Sequence, residues 1–170
     1  MKGYVHAYFG DGVGKTTRSV GLAVRASGAG KKVFFFQFLK DDTSSEVAVL
    51  RSLPNIEYGC TGTLGFIFDR QPTEEEIKLA MDGVGTCKKA LNGGYDLVIA
   101  DEILNVLSLG LAGEDDMGDM ISGKGNSVEL VMTGRACPGP ILERCDYATE
   151  FKNVKHPHEG GLRARMGIDC

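Results

Sequence analysis

Apolar positions fall in short, nearly unbroken runs at Tyr4–Phe9, Val33–Leu39, Tyr95–Ala100, Val128–Thr133 and Tyr147–Phe151. These runs are rich in β-branched and aromatic residues and lack the alternation of a half-exposed strand. They therefore predict parallel strands covered on both faces. Ile56–Tyr58 predicts a further short strand. Between the runs the spacing becomes helical. Lys15–Ser27 carries Val20, Leu22, Ala23 and Ala26 and stops at Gly28 and Gly30, and Ser45–Leu53 stops at Pro54. Thr73 with Glu76 forms a capping-box pattern that opens a helix running to Leu91, before Gly93 and Gly94. Shorter helices are predicted over Ile103–Leu109, Asp115–Ser122 and Pro140–Arg144. Alternating strands and helices with short turns imply an α/β fold with one parallel sheet and helices on both faces. No repeat or linker interrupts residues 1–170, so a single domain is expected.

Composition narrows the function classes. With 42% hydrophobic and 25% charged residues, the chain has an ordinary globular make-up. A net charge of −4 gives no global attraction to nucleic acid or to a membrane surface. No segment approaches the roughly 18 apolar residues of a membrane span. The opening MKGYVHAYF enters a strand without a signal-type apolar run, so a cytoplasmic location is expected. Cys60, Cys87, Cys137, Cys145 and Cys170 are scattered, with no C-x-x-C pair. They read as reduced thiols and argue against structural zinc. His6 lies in the first strand and reads as structural. His156 and His158 flank Pro157 without a third ligand nearby.

The chemistry begins at Gly10–Thr17, the stretch GDGVGKTT between the first strand and the first helix. Consecutive backbone N–H groups at a helix N-terminus form a concavity for phosphate, and glycines let the backbone approach it closely. Gly10, Asp11, Gly12, Val13, Gly14, Lys15, Thr16 and Thr17 make up this candidate P-loop. Lys15 supplies charge and Thr16 a hydroxyl for Mg²⁺. The usual pattern has a glycine where Phe9 stands. A second element supports the first: the apolar run Leu97–Ala100 ends in Asp101 and Glu102, the Walker-B arrangement of carboxylates that meets Mg²⁺ beside a P-loop. No G-x-S-x-G motif is present, and nothing else in the chain looks like a protein nucleophile with its base.

Taken in order, GDGVGKTT (10–17), FFFQFLK (34–40), GFIF (65–68), YDLVIADEILN (95–105), ELVMTGRACP (129–138) and ATEFKNVKHPHEGGLRARMGID (148–169) resemble the ATP:corrinoid adenosyltransferases from Lys2 to the C-terminus. The last block is the most diagnostic, since T-G-R-x-x-P followed by V-K-H-P and M-G-I-D is not a general P-loop feature. The resemblance implies a P-loop NTPase (RecA-like) three-layer α/β/α fold with a mostly parallel central sheet. It also implies transfer of the 5′-deoxyadenosyl group of ATP to Co(I) of a corrinoid, with release of triphosphate. Such proteins also lack the first glycine, commonly having threonine there, and are thought to bind ATP reversed along the loop so that C5′ is open to attack. Co(I) is a strong nucleophile that needs no deprotonation, which accounts for the missing general base.

By this resemblance Lys15, Thr16 and Glu102 are the catalytic candidates, and Thr16, Glu102 and Asp101 are the ligand candidates for Mg²⁺ or Mn²⁺. Gln37, Lys40, Arg135 and Lys155 are further binding candidates. Phe66 and Phe68 would pack under the corrin ring and exclude its lower axial ligand, the alternative being two core phenylalanines. A homodimer and a reduced flavodoxin or flavin electron donor are also implied. Three departures stand out: Phe9 for a small hydroxyl residue, Val13 for the usual lysine, and Arg18–Ser19 for Ala-Ala, with Arg18 placed to return the lost charge from the helix. The alternative functions are a nucleotide-binding switch or corrinoid carrier without transfer, and a generic P-loop ATPase.

Overall fold

All the runs that read as strands join one sheet. The computed structural model describes residues 2–62, 70–156, 161 and 165–168. Within them, strands β1 (Val5–Phe9), β2 (Val33–Gln37), β3 (Ile56–Cys60), β4 (Leu97–Asp101), β5 (Glu129–Thr133) and β6 (Tyr147–Glu150) alternate with helices α1 (Lys15–Gly28), α2 (Ser45–Ser52), α3 (Glu74–Ala90), α4 (Ile103–Ser108), α5 (Glu114–Gly123) and α6 (Gly139–Leu142). The sheet order is β3-β2-β4-β5-β1-β6, and every neighbouring pair is parallel. The expected mostly parallel sheet is therefore wholly parallel among the described residues.

The sheet has two buried faces, which explains why its strands do not alternate in polarity. Phe34, Phe36 and Phe38 pack with Val98, Ala100, Leu130 and Met132 against Val84, Leu104, Met117 and Ile141 of α3, α4, α5 and α6. Val33 and Phe35 turn the other way, joining Tyr8, Ile99 and Val131 against Ala23 of α1 and Leu50 of α2. Burying one such phenylalanine contributes about 1.5–3 kcal/mol, so each face needs its helical cover. Because the strands are parallel, their carboxyl ends lie along one edge of the sheet, where open α/β sheets bind ligands. β5 separates β1, which leads into the P-loop, from β4, which carries the carboxylates.

The capping box predicted at Thr73 forms. Thr73 Oγ1 accepts from the Glu76 N–H at 3.3 Å, and Glu76 Oε2 accepts from the Thr73 N–H at 2.8 Å. Arg70 adds contacts of 2.6 and 2.9 Å to the same carboxylate. The Arg70 hydrogen bonds, followed by the Thr73 backbone, hold the Glu76 pKa down at about 2, against 4.5 for a free group. A depressed carboxylate stabilises the fold above its unfolded pKa, and that contribution is lost as pH falls towards the folded value. Unfolding midpoints in urea should therefore decline between about pH 4.5 and 2 in the parent. In Glu76→Gln that component of the decline should be absent. Parallel declines in the two proteins would show that the cap does not carry this linkage.

Candidate functional site

The phosphate loop is shaped by glycine at the points where its backbone demands it. Gly10 has φ +112° and Gly14, which caps the start of α1, has φ +103°. A Cβ on Gly10 would lie 2.2 Å from the Phe151 carbonyl oxygen, and one on Gly12 would lie 2.6 Å from the Phe151 carbonyl carbon. The loop is thus pressed onto the chain just beyond β6. Gly12 N–H donates to Phe151 O at 2.8 Å, and the Asn153 side-chain amide donates to Asp11 O at 2.9 Å. Lys15 Nζ donates to the carbonyls of Gly10 and Gly12, both at 2.7 Å, so its ammonium lies over the loop itself. Burial pushes the Lys15 pKa down and the Arg135 charge adds to this, while Glu102, Asp11 and Asp101 oppose it.

Asp101 is the hub of the site. It ends β4 and is fully buried. Its carboxylate accepts from the Thr16 hydroxyl at 3.1 and 3.2 Å, Thr133 Oγ1 at 2.8 Å, Gln37 Nε2 at 3.1 Å and Lys40 Nζ at 3.1 Å. Lys40 Nζ also donates to Thr16 Oγ1 at 3.2 Å. Burial lowers the Lys40 pKa, but the Asp101 and Glu102 carboxylates outweigh it and leave the net shift upward. Lys40 therefore stays an ammonium. Gln37 is fully buried with its amide used inside the protein: Nε2 also donates to Glu46 Oε1 at 3.1 Å, and Oε1 accepts from the Tyr58 hydroxyl at 2.8 Å. Its geometry positions Asp101.

Glu102 follows in a left-handed conformation, φ +66°, at the N-terminus of α4. For a residue other than glycine such a conformation costs about 1–3 kcal/mol. The bonds around it hold it there. Its N–H donates to Thr133 Oγ1 at 2.8 Å, and its carboxylate accepts from the Asn105 side-chain amide. Burial raises the Glu102 pKa and the Asp101 charge raises it further, while Lys40, Lys15 and Arg135 pull it down. Asn105 Oδ1 accepts from the Arg135 N–H at 2.7 Å, and Arg135 O accepts from the Gly10 N–H at 2.9 Å. A chain of hydrogen bonds thus links Glu102, Asn105, Arg135 and the P-loop.

The structure brings Thr16, Lys40 and Gln37 onto the Asp101 carboxylate, with Glu102 next in the chain and Lys15 over the loop beside them. Arg135 is exposed, with its backbone in the network and its charge acting on Lys15 and Glu102. Val13 and Thr17 are exposed, and Lys155 is exposed two positions beyond Asn153. Phe66 and Phe68 lie outside the described residues. Of the departures, Phe9 is a partly buried residue packed against the core, so its ring serves the sheet. The Arg18 guanidinium lies over the Tyr8 ring, 4.7 Å from its centroid, which is where the charge expected to compensate for Val13 is engaged. His6 is structural, as expected: Nε2 lies 2.6 Å from Glu129 Oε1 and its ring stacks on Tyr147.

Sequence reasoning missed Thr133, Asn105, Phe151 and Asn153. Thr133 had a usable signal, a lone hydroxyl closing an apolar strand. The others act through backbone contacts or long-range hydrogen bonds that no local pattern carries.

The chemistry of the donors fits Mg²⁺. Thr16 Oγ1 and the Asp101 carboxylate are hard oxygens beside the loop, and a cation, Lys40, already lies against both. Mg²⁺ characteristically takes one or two carboxylates and fills its shell with phosphate oxygens and water. No group of three or more His, Cys, Asp or Glu among the described residues could hold a metal ion. No helix among them is long and apolar enough to cross a membrane.

A glycine-shaped loop between β1 and α1, a lysine over it, and a threonine meeting a strand-end carboxylate define a P-loop NTPase-like α/β protein. The chain belongs to the ATP:corrinoid adenosyltransferase BtuR/CobO/CobP family, whose model matches residues 1–170. It is 30% identical over 169 residues to the corrinoid adenosyltransferase of Escherichia coli (strain K12), covering 99% of this chain and 86% of that protein. It is 29% identical over 169 residues to the corrinoid adenosyltransferase CobA of Salmonella typhimurium, with the same coverage. Among solved structures, the cytoplasmic domain of EssC superimposes with a TM-score of 0.50 at 17% identity, covering 98% of this chain and 36% of that one. That similarity concerns the fold alone.

Proposed function

We propose that this chain, acting as a single domain, transfers the 5′-deoxyadenosyl group of ATP to Co(I) of a corrinoid in adenosylcobalamin synthesis or salvage. The observation that carries the reading is the family match along residues 1–170, including a P-loop whose Thr16 meets Asp101. The Co(I) electron pair forms the Co–C bond, the C5′–O bond breaks, and triphosphate leaves with that bonding pair. No protein base is required.

The protein's work is to orient the reactants and neutralise the leaving group. The loop amides and Lys15 hold the phosphates, with Lys15 turning from the Gly10 and Gly12 carbonyls to do so. Thr16 and Asp101, with Glu102 beside them, would hold Mg²⁺ or Mn²⁺, which supplies positive charge to the triphosphate. Lys40 adds a cation at the same oxygens. Cytoplasmic location, a homodimer, and a reduced flavodoxin or flavin donor belong to the same reading.

The test is incubation with ATP, Mg²⁺ and chemically reduced cobalamin, following loss of the Co(I) spectrum and the phosphate product. Triphosphate in step with Co(I) loss supports transfer. ADP without corrinoid consumption would make the protein an ATPase, and neither product would make it a carrier or switch.

Phe66 and Phe68 belong to this reading as the floor under the corrin. If they expel the lower axial ligand, Phe66→Ala and Phe68→Ala slow the reaction from Co(II) plus reductant and largely spare the reaction from preformed Co(I). Core phenylalanines would instead lower both rates equally, with a stability loss of about 3–5 kcal/mol. Paired rates and a melting curve separate the two.

A further inference from the structure

Thr133, Gly134 and Arg135 stand between the phosphate loop and the start of α4, and each is bonded across that boundary. Thr133 Oγ1 donates to Asp101 Oδ1 and accepts from the Glu102 N–H, both at 2.8 Å. Gly134 N–H donates to Tyr8 O of β1 at 3.1 Å. Arg135 O accepts from the Gly10 N–H at 2.9 Å, and Arg135 N–H donates to Asn105 Oδ1 at 2.7 Å. A Cβ on Gly134 would lie 2.6 Å from Leu104 Cβ and 3.0 Å from Asn105 Oδ1, so this turn is pressed onto α4 with no room for a side chain.

Asn105 closes the link on the carboxylate. The Arg135 N–H can only donate, so it claims the amide oxygen of Asn105 and leaves the amide nitrogen to face Glu102. That nitrogen donates to Glu102 Oε2. Glu102 stands at the N-cap position of α4 without a side-chain bond to the N–H groups of its own helix. Its carboxylate is therefore oriented by Asn105 and not by capping. The position calls for a donor and an acceptor on one short side chain, which asparagine supplies. Aspartate would keep the bond to Arg135 and set a second carboxylate against Glu102, and alanine would lose both contacts.

We propose that Asn105 is a positioning residue for the bound nucleotide: it fixes the Glu102 carboxylate and registers it, through the Arg135 backbone, to the phosphate loop. The inference rests on the reading of Glu102 as a residue beside Mg²⁺. Asn105 touches neither metal nor phosphate, and all of its effect passes through Glu102. Partners of this kind orient a ligand side chain and tune the site without entering it.

The test titrates the folded chain with ATP by calorimetry, without corrinoid, in saturating Mg²⁺ and again in EDTA. The ratio of the two dissociation constants measures how much the metal strengthens binding. Asn105→Ala should cut that ratio by at least about tenfold and leave affinity in EDTA within about twofold, as expected for loss of a partner that orients a metal ligand. The Gly10–Arg135 bond runs from backbone to backbone and survives the substitution, which is why binding in EDTA is spared. Asn105→Asp, which keeps the acceptor for Arg135, should lose as much. Glu102→Gln should also cut the ratio, and adding Asn105→Ala to it should cost no more than about twofold further, because the two changes remove one shared contribution.

Melting curves establish that each variant is folded, and Asn105→Asp carries the comparison if alanine does not fold. Equal losses with and without Mg²⁺, full additivity with Glu102→Gln, or parent behaviour in Asn105→Asp would overturn the inference while leaving the role of Glu102 in place. A Glu102→Gln protein that keeps the parent's ratio would overturn the assignment of Glu102 to the metal, and the inference with it.

Discussion

Lys15→Ala is expected to lower the rate of adenosyl transfer from preformed Co(I) by about 10²–10³, the usual cost of removing one preorganised electrostatic contact. The argument rests on position and charge. The ammonium sits 2.7 Å from two carbonyls of its own loop, ready to turn towards phosphate. Glu102, Asp11 and Asp101 act against the lowering of its pKa by burial. Charge on the leaving triphosphate grows as the C5′–O bond breaks, so the loss should appear mainly in kcat. A folded Lys15→Ala protein with near-parent kcat would remove this lysine from the mechanism. A melting curve must accompany the rate, since the same ammonium also ties the loop together.

Asp101→Ala should be the more damaging change to the protein itself. It strips one acceptor from Thr16, Gln37, Lys40 and Thr133 at once, and Gln37 and Thr133 have no access to solvent to replace it. Breaking a buried pair by removing one partner typically costs about 3–5 kcal/mol, which lowers Tm by on the order of 10 °C in a chain of this size. Asp101→Asn keeps the shape and some hydrogen bonding while removing the charge opposite Lys40, so it should fall between the parent and alanine. Thermal melts of the three proteins test the order. An Asp101→Ala protein within about 1 kcal/mol of the parent would mean that water or Glu102 takes over the acceptor role.

Much of this fold is legible because its signals are local. The unbroken apolar runs announced strands buried twice over, and the Phe34–Phe38 stretch does place successive rings on opposite faces. Thr73 and Glu76 announced the start of α3 for the same reason: both halves of the capping box lie within one helical turn. The P-loop and the strand-end acids were equally visible. What the pattern could not carry is how the acids divide their work. Asp101 became the buried hub because its neighbours on β2 and β5 bring Gln37 and Thr133 to it, and strand order is a long-range property. Leu39 and Glu102 are left-handed without being glycine, and in each case a hydroxyl distant in sequence holds the conformation: Leu39 N–H donates to Thr61, just beyond β3, and Glu102 N–H to Thr133 at the end of β5. Gln37 had the right location for a ligand contact, but Tyr58 and Glu46 already use its amide.

The place of β1 in the sheet bears on the order in which a growing chain can assemble. Among the described strands β1 is made before the rest, yet its hydrogen-bonded neighbours are β5 and β6, the last two of them; His6 pairs with Val131 on one side and Tyr147 on the other. β2, β3 and β4 pair among themselves and need not wait. At about 5–20 residues per second, β1 stays without strand partners for on the order of ten seconds. During that time the apolar segment VHAYF has only transient cover. The phosphate loop waits with it, because Gly10 and Gly12 rest on backbone from Arg135 and Phe151. The loop therefore cannot take its finished form until synthesis has passed Phe151.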